Sequence, residues 1–147
     1  MRKVLMVAAV LSAMAIPALA SDAGLIKVSK GNVQIERNGA KMAAPVGASV
    51  QASDVITTGA DGSAGITFTD NSLVSVGPNT VFAIDKYRFD STTHAGEFEG
   101  SLKKGRLAAI SGKMVKASPE SMKIRTPSAI MGVRGTEFVV QVDEEKK

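Results

Sequence analysis

Thr126-Pro127, followed by Gly132-Val133-Arg134-Gly135-Thr136-Glu137-Phe138, sets one guanidinium between two glycines and a carboxylate three residues beyond it. Glycine permits backbone conformations closed to other residues. Proline lacks an N–H and suits a strand end or sheet edge. The residue before a proline, here Thr126, is biased towards extended geometry. The stretch therefore reads first as a backbone device. Arginine brings a rigid fork of donors that matches carboxylates and carbonyls. Two uses follow: Arg134 ties strands or a turn together, through Glu137 or Asp54, or it presents its guanidinium to an acidic partner.

A second concentration of chemistry lies between Ser101 and Arg125. Lys103, Lys104, Arg106, Lys113, Lys116, Lys123 and Arg125 stand there against Glu120 alone. Such a cluster is either a solvated face or a binding face for an anionic polymer or glycan. The segment holds no aromatic residue on which a base could stack, which argues against nucleic acid.

Other candidates carry less. His94 is the one histidine and there is no cysteine, so the usual zinc ligand sets cannot be assembled. His94 falls in the Asp90–Gly96 loop segment and is expected to be exposed and idle. Asp61, Asp70 and Asn79 lack the spacing of a calcium loop; they read as turn residues that bond their own backbone. Gly62-Ser63-Ala64-Gly65 resembles a nucleophile elbow, but Asp61 stands where the motif needs glycine. No glycine-rich phosphate loop opens a helix. The expectation is a protein that is not an enzyme and uses no metal or cofactor.

These residues need a scaffold, and its pattern is that of strands. Val33 and Ile35 alternate with Gln34 and Glu36 and run into Asn38-Gly39, a strong hairpin signal. Ile66 and Phe68 alternate with Gly65, Thr67 and Thr69, and Phe138, Val140 and Val142 with Glu137, Val139 and Gln141. Turn residues return at nine-residue spacing: Asp61, Asp70 and Asn79. Three and five positions after each come Ala64 and Ile66, Leu73 and Ser75, Phe82 and Ile84. The fold class expected is all-β, with short antiparallel strands in a sandwich or a small β-solenoid, as a single domain.

The amino terminus reads differently. Arg2 and Lys3 precede an apolar run from Val4 to Ile16, and Ala18-Leu19-Ala20 offers small residues for cleavage. Residues 1–20 are therefore expected to be a secretory signal peptide, residues 21–142 the β domain and residues 143–147 a charged tail. Losing Arg2 and Lys3 takes the 18 basic residues to 16 against 14 acidic, so the net charge of +4 falls to +2. That small excess serves solubility more than it specifies a polyanion. No membrane span is expected after cleavage.

Taken in order, Asp54-Val55-Ile56-Thr57-Thr58-Gly59, Asp61-Gly62-Ser63, Gly77-Pro78-Asn79-Thr80, Lys104-Gly105, Thr126-Pro127 and Gly132 to Phe138 resemble the FecR domain family, from about Val28 to Val142. The resemblance implies an all-β domain outside the inner membrane. In the best-known members that domain relays the state of an outer-membrane transporter to a cytoplasmic sigma factor. That relay also needs a cytoplasmic segment, a retained membrane span and further sequence that docks on the transporter, none of which is read here. The expectation is therefore the module by itself: a periplasmic or secreted binding domain whose partner is an envelope protein, in signalling or assembly. The alternative is a binder of glycan or anionic surface polymer.

Overall fold

Asn38 and Gly39 adopt positive φ values of 53° and 80°. That is the geometry of a two-residue hairpin turn, whose twist matches its flanking strands. They join β2 (Val33–Arg37) to β3 (Ala40–Ala43), paired antiparallel from Gln34↔Ala43 to Arg37↔Ala40. The computed structural model describes residues 22–133 and 137–143. The expected signal peptide, together with Arg134, Gly135, Thr136 and the last four residues of the tail, lies outside them.

The remaining elements are β1 (Asp22–Lys30), β4 (Ser49–Gln51), β5 (Val55–Thr58), β6 (Ser63–Phe68), β7 (Leu73–Val76), β8 (Val81–Phe89), β9 (Gly96–Ile110), α1 (Lys113–Ala117), β10 (Met122–Arg125), β11 (Ile130–Gly132) and β12 (Phe138–Val142). The strands form one sheet in the order β3-β2-β5-β8-β9-β7-β6-β1-β4; β10 and β12 also pair with β9, and β11 with β10. Every pair is antiparallel except β9 with β10.

The long strand β9 turns this sheet back on itself. Its first part, to Lys104, pairs with β8. Its second part, from Leu107, pairs with β7, and residues 105–109 pair with β12. Gly105 stands at the joint with φ +94°, a conformation that L side chains rarely adopt. The sheet curls there into a half-barrel, and its two halves face each other. Phe68 on β6 meets Phe98 on β9 edge-on at 4.6 Å, and Tyr87 on β8 at 5.3 Å. Such ring pairs add about 0.5–1.5 kcal/mol beyond the area they bury. Ile26, Ile56, Ile66, Phe82, Ile84, Leu102, Leu107 and Ile124 complete the core. α1 closes one end: Lys113 N–H bonds Asp70 O at 2.8 Å, and Met114 is buried.

The all-β expectation holds, and of its two arrangements the layered one is closer. The nine-residue regularity is a succession of turns. β6 and β7 form a hairpin in one half, whereas β8 pairs with β5 in the other. The inward phase also changes along it. Ala64, Ile66, Phe82 and Ile84 are buried, but the middle copy buries Val74 and Val76 and leaves Leu73 exposed. A one-residue change of phase exchanges the faces of a strand. Here the turn causes it: Asp70 draws Ser72 fully inside, accepting from its N–H at 3.0 Å and its hydroxyl at 2.7 Å.

Candidate functional site

Three sequence motifs, far apart in the chain, converge at the end of the half-barrel opposite α1. Thr58 Oγ1 donates to Gly77 O at 2.7 Å and accepts from Thr80 N–H at 2.9 Å. Thr80 Oγ1 in turn accepts from Arg106 N–H at 3.1 Å. Asn79 N–H reaches Gly59 O at 3.0 Å. Both threonines are buried, where an unpaired hydroxyl would be costly. Gly105 lies directly against Thr80: a Cβ would sit 2.5 Å from Thr80 Cα. The threonine, Gly-Pro-Asn-Thr and Lys-Gly steps therefore build the bend in β9.

That bend separates the two strands of the Thr126–Phe138 stretch. β10 leaves it on one side, parallel to the first part of β9. The chain turns at Thr126–Ala129, where Thr126 Oγ1 accepts from Ala129 N–H at 3.1 Å and Thr126 N–H donates to Ala129 O at 2.8 Å. It returns as β11, which among the described strands pairs with β10 alone. Val133 is buried and bonds Met122 O at 3.0 Å. β12 then continues on the other side, pairing with the second part of β9. β11 and β12 each keep one edge that pairs with no described strand.

A groove of about 890 Å³ opens between them. Its walls are Pro127, Ala129 and Met131 on the hairpin and Val140 and Val142 on β12, with Lys103 and Lys104 from β9 between. A smaller hollow of about 540 Å³ shares Gln141, Val142 and Asp143 with it and reaches Pro78 and Arg106.

Of the residues expected to matter, Thr126 and Pro127 line this groove. Gly132 is exposed at the end of β11, Glu137 is exposed before β12, and Phe138 is half-buried against the core. Asp54, one expected partner of Arg134, is taken up elsewhere. It is 1% exposed and holds the Arg37 fork at 2.9 and 2.7 Å, with a third bond from Gln51 N–H at 2.8 Å. The hydrogen bond to Asp54 raises the Arg37 pKa above its ordinary value.

The seven basic residues do not share a face. Lys123 and Arg125 on β10 lie beside Glu99 and Ser101 of β9, and Glu99 also meets Lys86 at 3.9 Å. Lys103 follows at the groove. Arg106 stands beyond the bend on the other half of the sheet. Lys113 and Lys116 are on α1, at the opposite end.

His94 is half-buried, not exposed as expected. Its ring stacks on Phe89 at 6.0 Å, and its backbone takes φ 59° in the turn after Asp90. Asp90 accepts from Thr92 and Thr93 N–H groups, and these bonds hold its carboxyl below the usual carboxylate range. The network that anchors α1 was not foreseen. Tyr87 Oη lies 2.8 Å from Thr69 Oγ1 and 3.2 Å from Asp70 N, Asp70 holds Ser72, and Ser72 Oγ accepts from Gly112 N–H at 3.1 Å. The Asp-Asn-Ser turn was its only visible signal.

A curled, mainly antiparallel sheet with a motif-built bend and two strand edges that pair with no described strand defines a β domain whose distinctive surface is a groove between strands. Residues 54–147, more than half of the chain, match the family model described as FecR protein, and the chain belongs to that family. The match starts at Asp54, later than the Val28 expected. No curated protein and no solved structure matches the chain. FecR membership suggests a function related to envelope signalling. Among the described residues no helix is long and apolar enough to cross a membrane.

Proposed function

We propose that the protein is an exported, non-enzymatic binding module of the cell envelope, periplasmic or secreted, working in signalling or assembly through contact with another protein. One observation carries this reading. The family's carboxyl-terminal motif builds a groove whose two borders are strands with an edge that pairs with no described strand. A free edge is a row of backbone donors and acceptors that an extended segment can complete, while side-chain pockets select the segment. The walls are apolar, and Lys103 and the nearby Arg125 are exposed cations. The fitting occupant is an extended protein segment that alternates apolar and acidic residues. Export rests on the basic, apolar and small-residue pattern of residues 1–20.

The polymer alternative has less support, because Glu97 and Glu99 interrupt the basic residues of β8–β10 and the remaining cations are spread over other surfaces.

A photo-crosslinking residue at Ser128, in the groove, tests the reading in intact cells. A discrete adduct with one envelope protein is expected from Ser128 and not from Asn38, at the remote hairpin turn. Equal adducts from both positions, or none from Ser128, would remove the proposal.

A further inference from the structure

Eight large apolar residues are exposed among the described residues, and five of them lie on one sheet face. Register fixes this placement. Leu25 stands opposite Thr67, Thr67 opposite Leu73, and Leu73 opposite Ile110. One step along the strands, Val28 stands opposite Gly65, then Ser75, Ala108 and Val139 follow in line. Cross-strand partners point to the same side of a sheet. The opposite side is settled by Ala64, Ile66, Val74, Val76, Leu107 and Ala109, all buried. The outer face of β1-β6-β7-β9-β12 therefore carries two adjoining rows that are uncharged from β6 to β9, with Lys27 of the β1 bulge and Glu137 ahead of β12 as their charged neighbours. Leu25, Val28, Leu73, Ile110 and Val139 are 40–49% exposed within them.

The charges lie at the ends of this face, and the two ends differ in sign. Lys30, opposite Ser63, and Arg106, opposite Gln141, border one end. Asp22, which opens β1, is exposed at the other, and Glu137, one residue before the Phe138 that pairs with Ala109, is exposed on the β12 side level with Ile110. Lys27, the unpaired residue of the β1 bulge, sits at the side. We infer that this face binds a second copy of the chain, sheet against sheet, about a two-fold axis in the plane of contact and across the strands. That operation brings the uncharged rows together, lays Lys30 of each copy over Asp22 of the other, and sets Arg106 of each a row and a strand away from Glu137 of the other, within reach of its long side chain. A surface with a neutral centre and oppositely charged ends is complementary to itself in this orientation, whereas an anionic or cationic partner would be repelled from one end. Five strands at their usual spacing and three rows of side chains give roughly 500–600 Å² per copy, about 1,000–1,200 Å² in all, the lower limit of a specific interface. The dimer is accordingly weak and reversible.

Sedimentation velocity over about 1–200 µM, on the protein purified as the producing cell leaves it, tests this. A monomer–dimer equilibrium in that range is expected. Leu73→Arg should raise the dissociation constant at least about tenfold. Arg106→Glu should weaken the dimer, and adding Glu137→Arg should restore it, with unchanged circular dichroism in each case. A monomer at every concentration, a dimer indifferent to Leu73→Arg and Arg106→Glu, or failure of the charge exchange to restore it would overturn the inference. So would a monomer that binds zwitterionic phosphatidylcholine vesicles through this face.

Discussion

Arg37 and Asp54, 17 residues apart, clasp each other through two parallel bonds: Nε to Oδ1 at 2.9 Å and Nη2 to Oδ2 at 2.7 Å. The pair does more than join two side chains. Arg37 ends β2, and its Nη2 also donates to Ser49 O at 3.3 Å on β4, in the other half of the sheet. Asp54 precedes β5, and its backbone carbonyl accepts from Ile84 N–H at 2.9 Å on β8. One ion pair thus fastens the rim where β2 and the start of β5 meet β4, the last strand of the sheet path. Two-pronged geometry makes this contact directional as well as attractive.

Asp54→Asn should therefore destabilise the fold. Replacing one carboxylate oxygen by an amide opposes a donor to a donor, either at Arg37 Nε or at both Arg37 Nη2 and Gln51 N–H. Removing one partner of a buried pair costs about 3–5 kcal/mol; Arg37 is 26% exposed, so solvent reduces this. A loss of about 2–3 kcal/mol is expected by urea unfolding. A change under about 0.5 kcal/mol would show that the clasp is incidental.

Gly105→Ala tests the bend. The substitution forces a side chain into a φ of +94° and against Thr80. Loss of at least about 2 kcal/mol is expected. An alanine variant that unfolds at the wild-type midpoint would mean that β9 crosses between the halves without needing this geometry.

Tyr87 is the single tyrosine and the chain has no tryptophan, so absorbance of the phenolate reports on it alone. Burial, first among the causes, pushes its pKa up from 10.0 to about 12. The folded state thus holds this proton more tightly than the unfolded chain. The stability this provides is fully present below pH 10 and is lost as pH rises towards 12. Titration should give a midpoint near 12 in buffer and near 10 in denaturant. A native midpoint near 10 would place the phenol in water.

Ser72→Ala should loosen the seat of α1. It removes the hydroxyl between Asp70 Oδ2 and Gly112 N–H in a fully buried setting. About 1–3 kcal/mol should be lost. Amide exchange should accelerate from Gly112 to Ser118 more than in β2 or β5; uniform acceleration would contradict a local role.

The sequence announced what depends on near neighbours. Asn38-Gly39 specifies a turn by its own backbone, so the β2–β3 hairpin was readable, as was the alternation that buries Val33 and Ile35. Thr126-Pro127 marked a strand end for the same reason. Leu73 shows the limit. Its spacing from Asp70 matched that of Ala64 from Asp61, yet Ala64 is inside and Leu73 outside. The difference lies in which turn residue the carboxylate of Asp70 draws inward. The basic cluster failed as a unit for a related cause. Closeness along the chain placed Arg106 beside Lys104 in sequence, but the bend at Gly105 sends them to different halves of the sheet.

Sequence alone determined that this chain makes strands, where several of them turn, and that it belongs with the FecR proteins, because alternation, turn chemistry and motif order are local or linear properties. Only the tertiary structure decided that Asp54 pairs with Arg37, that three distant motifs meet at one bend, and that five exposed apolar residues share a face. Each of these depends on register between strands far apart in sequence, and register is set by the burial of the whole sheet at once.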